Sequence, residues 1–163
     1  MTSRERARDL KQKPVRILGA AQAIPYGVEI VTGFYELDLT HAAHPEMFAT
    51  ARRLYQQTGL RPKDFQLAML YDAFTPQVLT QLEAYQFCGV GEAKDFIKSG
   101  EVEIGGTIPI NTNGGLIGEA YIHGMNNISE AVRQLRGTAA NPVSEVERAL
   151  VSSGICAAAL GLD

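Results

Sequence analysis

The stretch Phe65-Gln66-Leu67-Ala68-Met69-Leu70-Tyr71-Asp72-Ala73-Phe74-Thr75-Pro76 decides the fold. Phe65 to Tyr71 is an uncharged, mostly apolar run of strand length, and reads as a buried strand. Thr75-Pro76 reads as a helix start, because a hydroxyl can cap orphan amides and proline has no amide proton to leave unpaired. Val78, Leu79, Leu82 and Tyr85 then recur at helical spacing as an apolar face. A buried strand running straight into an amphipathic helix is the repeating unit of an α/β layered fold.

Working outward, His44 to Thr58 reads as a helix, with Met47, Ala51, Leu54 and Thr58 on one face and Gly59 as its stop. Before it, Val15 to Ala21 reads as a strand with Val15 and Ile17 on one face, and residues 22–40, broken by Pro25, Gly27 and Gly33, as a partly extended excursion. A short charged helix after Ser3 ends at Pro14. Toward the C-terminus, Gly89 to Lys98 reads as a loop and a short helix. Residues 100–118 are rich in Gly, Asn and Thr around the apolar piece Ile108 to Ile110. A helix then runs to Arg136, with Met125, Ile128, Val132 and Leu135 on one face and Gly137 past its end. Val146–Val151 and Ile155–Leu162 read as two closing strands joined by Ser152-Ser153-Gly154.

The 163 residues fit one domain, and the 45% hydrophobic and 20% charged fractions are ordinary for a globular protein. The net charge of -3, with acids and bases interspersed, gives no footprint for nucleic acid. No apolar run approaches the roughly 20 residues that span a bilayer, and the polar stretch Met1 to Arg16 resembles neither signal peptide nor anchor. Cys88 and Cys156, far apart, exclude a disulfide framework and a cysteine zinc site. These features predict a cytoplasmic protein without a metal centre.

In open α/β sheets, functional groups gather beyond the C-terminal ends of strands. Two stretches fall there: Tyr71-Asp72-Ala73-Phe74, and Asn111-Thr112-Asn113-Gly114-Gly115 running on through Tyr121-Ile122-His123-Gly124. Paired glycines let a backbone approach a ligand, and loop amides beside a helix start can hold an oxyanion. Each residue also has a plainer reading. Tyr71 fits a rim aromatic, Asp72 a turn acid near the Thr75 helix, Asn111 a local backbone bonder, and His41 and His44 structural positions at a helix start. Cys156 fits a small core residue. From the residues alone, an enzyme and a binding module both remain open.

The two motifs together resemble the C-terminal domain of the thiolase superfamily, over essentially the whole chain. The family pattern is an Asn with glycines three and four residues on, then Gly-His-Pro-x-Gly. Asn111, Gly114, Gly115 and Gly124 fall on it, while Ala120, Tyr121 and Ile122 replace Gly, His and Pro. The family's Asn-Glu-Ala-Phe is similar to Tyr71-Asp72-Ala73-Phe74, with tyrosine for asparagine. The resemblance implies a thiolase-like C-terminal half over 14–163, with a mixed five-stranded sheet layered with helices, and a linking helix over 1–13 from an N-terminal half. The thiolase nucleophile, a cysteine, belongs to that N-terminal half. The family's second cysteine falls near Ser152 or Ser153, a few residues before Cys156.

With both polar residues replaced by tyrosine, the chain is more similar to the thiolase-like lipid-transfer proteins of bacterial sterol catabolism than to thiolases proper. That resemblance implies retro-aldol cleavage of a β-hydroxyacyl-CoA into a ketone and a short acyl-CoA. Tyr71, Tyr121 and His123 would be catalytic, with Asp72, Asn111, Gly114, Gly115 and Gly124 around the substrate. Coenzyme A enters only as part of the substrate. The implied partners are the N-terminal half, a DUF35 protein of OB-fold type, and a second copy in a homodimer. The alternatives are an acyl-CoA acetyltransferase or thiolase half, and a non-catalytic acyl-CoA-binding or pairing domain.

Overall fold

The computed structural model describes residues 1–24, 45–120 and 122–162. Of the excursion expected over 22–40, residues 25–40 lie outside the described residues, as do His41, His44 and Tyr121.

Among the described residues four strands form one mixed sheet in the order β1-β4-β3-β2. These are β1 (Arg16–Gln22), β2 (Leu67–Leu70), β3 (Arg148–Ser152) and β4 (Cys156–Gly161). Strand β2 pairs parallel with β3, whereas β4 runs antiparallel to both β3 and β1. The resemblance implies five strands; among the described residues the sheet has four, and one parallel bridge joins Ala68 to Ile110 on the free side of β2. Pro109 interrupts that segment. Having no N–H, it cannot extend a ladder, although its carbonyl accepts from the Ala68 amide at 3.0 Å.

Strand β2 is buried on both faces, and the period of two divides its side chains between two cores. Ala68 and Leu70 join Met47, Ala51, Leu54, Leu82, Tyr85 and Leu150 under the helices α2 (Pro45–Thr58) and α3 (Thr75–Ala84). Leu67 and Met69 join Ala131, Leu135, Ala149, Val151 and Leu160 under the last helix, α6 (Met125–Arg136). Val15 precedes β1 and packs beside the second core, whereas Ile17 is exposed next to a register shift between Ile17 and Gly19.

Between these lie α1 (Arg4–Ala7), one exposed turn capped by Ser3, the short helix α4 (Ala93–Lys98), and α5 (Gly115–Gly118), one turn that the sequence pattern does not announce. Two expectations are corrected. Thr75 is the first helical residue of α3, following Phe74 as N-cap, and no side chain caps that helix. Helix α6 turns Met125 and Ile128 outward and buries Asn126, Asn127, Glu130, Ala131, Gln134 and Leu135. Apolar spacing misplaces this face because Glu130 and Gln134 are buried through hydrogen bonds to a neighbouring loop.

Candidate functional site

The parallel strands β2 and β3 end side by side, and the Tyr71 amide donates to the Ser152 carbonyl at 2.9 Å. Tyr71-Asp72 therefore leaves the sheet next to the Ser152-Ser153-Gly154 hairpin. The position at which the family's second cysteine falls is thus in space a neighbour of Tyr71. Ser152 is buried, with its hydroxyl accepting from the Gly154 amide at 2.9 Å. Cys156 lies further along, half-buried and paired with Gln22 across β4 and β1.

Tyr71 is fixed from behind. Gln81, one helical turn after Gln77 on α3, is buried and donates its Nε2 to the Tyr71 carbonyl at 2.8 Å. Sequence reasoning passed over Gln81. Its signal is a polar residue on the same face as Leu82, a placement that burial tolerates only when the amide is bonded. Behind the hairpin, Tyr85 donates to the Gly154 carbonyl at 3.0 Å, and burial pushes its phenol well above its ordinary value. Tyr85 is therefore a neutral structural donor.

The Asn111 loop reaches the same edge of the sheet. Its carboxamide is paired at both ends with the Leu70 backbone, accepting from the amide at 2.8 Å and donating to the carbonyl at 2.9 Å. The expected local bonding of Asn111 is thus a long-range clamp. It holds the loop across the end of β2, with Asn111 itself in the left-handed region at φ 46°.

The glycine pair then brings the loop onto Asp72. A methyl group at Gly115 would overlap Asp72 Oδ2, and Gly115 adopts φ 66°, so glycine is required twice over. Asp72 accepts from the Leu116 amide at 3.2 Å rather than serving the start of α3. The Gly114 amide donates to the Asn111 carbonyl at 2.9 Å, and the Gly115 amide to Asn113 Oδ1 at 3.1 Å. The Gly114, Gly115 and Leu116 amides are therefore engaged within the protein.

His123 and Gly124 complete the arrangement. His123 is exposed in a left-handed conformation at φ 47°, a strained choice for a residue with a side chain, and Gly124 follows at φ 84° as the N-cap of α6. A methyl group on Gly124 would stand 3.6 Å from Tyr71 Cδ2. The tyrosine ring thus packs over the backbone next to His123. Tyr71, Asp72, Asn111, Gly114, Gly115 and Gly124 form one connected surface, with His123 beside it. Phe74, Ile117, Ile122 and Met125, in the loops and helix starts that build it, are exposed apolar side chains.

Residues 36–159 match the family model described as thiolase C-terminal domain-like. The chain is 55% identical over 154 residues to the 17-hydroxy-3-oxo-4-pregnene-20-carboxyl-CoA lyase of Mycobacterium tuberculosis, covering 94% of this chain and 39% of that protein. It is 52% identical over 154 residues to the steroid side-chain-cleaving aldolase of Thermomonospora curvata, again covering 94% of this chain and 39% of the relative. A solved structure named Ltp2-ChsH2(DUF35) aldolase superimposes with a TM-score of 0.89 at 50% identity, over 98% of this chain and 42% of that one. The chain thus spans about two-fifths of the length of the relatives it matches. The match covers well over half of the sequence, and the chain belongs to the thiolase C-terminal domain-like family.

Proposed function

We propose that this chain is the C-terminal half of a carbon–carbon lyase that cleaves a β-hydroxyacyl-CoA of the steroid side-chain type into a ketone and a short acyl-CoA. The observation that carries the reading is the packing of the Tyr71 ring against Gly124, which brings two separate loops together beside His123. The names of the relatives that share about half of its residues support the steroid-type acyl group.

The reaction needs a base for the β-hydroxyl, donors for the thioester enolate, and an acid for the α-carbon. As the hydroxyl proton leaves, the Cα–Cβ bond breaks. Its electron pair enters the thioester carbonyl, and the carbon that bore the hydroxyl becomes the ketone. A proton delivered to the α-carbon completes the short acyl-CoA. The thioester is itself the electron sink, so coenzyme A serves as part of the substrate.

Tyr71 and Tyr121 are the proton-transfer pair in this reading. A phenol ordinarily titrates near 10, so ionising one alone at pH 7 costs roughly 4 kcal/mol. A relay through His123 or a water avoids that cost by moving the proton on as it is taken. Gly114, Gly115 and Gly124 allow the loops to approach, and Asp72 and Asn111 hold them. The remaining parts of the assembly are an N-terminal half, a DUF35 partner of OB-fold type, and a second copy of the full-length protein. The solved aldolase with DUF35 in its name supports the second of these.

Tyr121→Phe and Tyr71→Phe in the full-length assembly test the assignment, because each keeps the ring and removes only the hydroxyl. Each should lower turnover by about a hundredfold or more, the usual contribution of a positioned acid or base, measured per folded enzyme. Near-normal turnover in either variant would remove that tyrosine from the mechanism.

A further inference from the structure

The glycine loop is held to α6 by a closed circuit of polar side chains that the catalytic residues do not share. Thr112 donates its hydroxyl to Glu130 Oε1 at 2.8 Å, and Gln134 Nε2 reaches the same oxygen at 3.1 Å. On its other oxygen Glu130 faces Arg133 Nη1 at 3.5 Å, and Arg133 donates to Glu119 Oε1 at 2.8 Å. Glu119 Oε2 then accepts from Asn113 Nδ2 at 3.1 Å. The Thr112–Asn113 peptide closes the ring. The circuit therefore grips the loop at two residues before the glycine pair and one after it. Gln134 adds a strap by donating to the Asn141 carbonyl at 2.8 Å, while the Asn141 amide holds the Thr112 carbonyl at 2.8 Å.

Glu130 is the crossing point, and it is only 3% exposed. It stands on the face of α6 that carries Ala131 and Leu135, where an apolar residue would pack on the sheet without desolvating a charge. A buried charge there fixes position more than it adds stability. What it fixes is specific. Asn113 Oδ1 takes the Gly115 amide and Asp72 takes the Leu116 amide, so the ring sets the seat of Asp72 and hence of Tyr71. Its anchor is the helix whose N-cap, Gly124, lies against the Tyr71 ring.

We propose that Glu130, acting through Thr112 and Arg133, is the positioning residue of the site, holding the Tyr71–Asp72 end and the His123–Gly124 end of the reaction surface at one fixed separation. This rests on the reading of that surface as a proton-transfer site. Glu130 touches no reacting atom. Its removal leaves every catalytic side chain present but displaced, and displacements of about an ångström cost on the order of a hundredfold in rate.

The test uses the full-length protein with its partner and three substitutions: Thr112→Val, which keeps shape and removes the donor; Thr112→Ser, which restores it; and Glu130→Gln, which keeps an acceptor for Thr112 and removes the charge facing Arg133. Amide hydrogen exchange over residues 112–119 is read on each without substrate, and kcat and KM are read per folded enzyme. Thr112→Val and Glu130→Gln should speed exchange in that segment and lower kcat about tenfold to a hundredfold, with KM changed by less than about threefold. Thr112→Ser should return both readings to wild type. Unchanged exchange in Thr112→Val and Glu130→Gln overturns the positioning role whatever reaction the enzyme performs, as does faster exchange with kcat intact. Faster exchange together with slowed turnover of some other acyl-CoA reaction keeps the positioning role and overturns only the retro-aldol reading.

Discussion

Gly115 shows how a single position binds conformation to function. It combines φ 66° with contact against the Asp72 carboxylate, and both properties exclude a side chain. Alanine there meets the left-handed penalty of roughly 1–2 kcal/mol and must also push Asp72 off the Leu116 amide. Gly115→Ala should therefore destabilise the protein by about 2 kcal/mol or more in urea unfolding and lower activity beyond the loss of folded protein. A variant as stable as wild type would show that the loop does not depend on this approach. The sequence made the glycine pair legible as a site of close approach, but not what approaches. A carboxylate 43 positions earlier fills the place imagined for a ligand, because Asp72 and Gly115 become neighbours only through the sheet. The side-chain partner of Asn111 is hidden for the same reason, Leu70 lying 41 residues away, while its carbonyl takes the local bond from the Gly114 amide.

At the scale of elements, strand β2 and helix α2 follow directly from hydrophobic spacing, because each buries apolar side chains in the core, while α3 buries Gln77 and Gln81 beside Leu82 and Ala84. Helix α6 obeys a different rule. Four of the six residues it buries are polar, and spacing alone places Met125 and Ile128, which are exposed, on its core face. The information needed was a Glu and a Gln four residues apart, with a threonine loop to receive them. The circuit on α6 also carries a pH signature. Hydrogen bonds from Arg133, then from Asn113, hold the Glu119 carboxyl below its ordinary value of 4.5. A lowered carboxyl contributes stability fully above its unfolded value, and loses it as pH falls through the folded value. The loop clamp should thus be intact from neutrality down to about pH 4.5 and loosen below it. Exchange of the 113–119 amides, corrected for the intrinsic pH dependence, should rise only in that acidic window, and Glu119→Gln should abolish the change. Loosening near pH 6 would assign the clamp to another group.

At the scale of the whole molecule, the proposed function makes the chain one side of a reaction surface. Its exposed apolar side chains Phe74, Ile117, Ile122 and Met125 belong to the segments that build that surface, and its relatives are more than twice its length. Among the described residues no helix is long and apolar enough to cross a membrane. The proposed retro-aldol cleavage differs from thiolysis in its use of coenzyme A, and the difference is visible in the products. The most direct measurement is mass spectrometry of the products formed from a tertiary β-hydroxyacyl-CoA by the full-length protein with its DUF35-type partner, with and without free coenzyme A. A ketone and a short acyl-CoA in equal amounts, formed at a rate indifferent to added coenzyme A, is the result predicted here. Products that appear only when free coenzyme A is present would contradict it and return the site to thiolase chemistry.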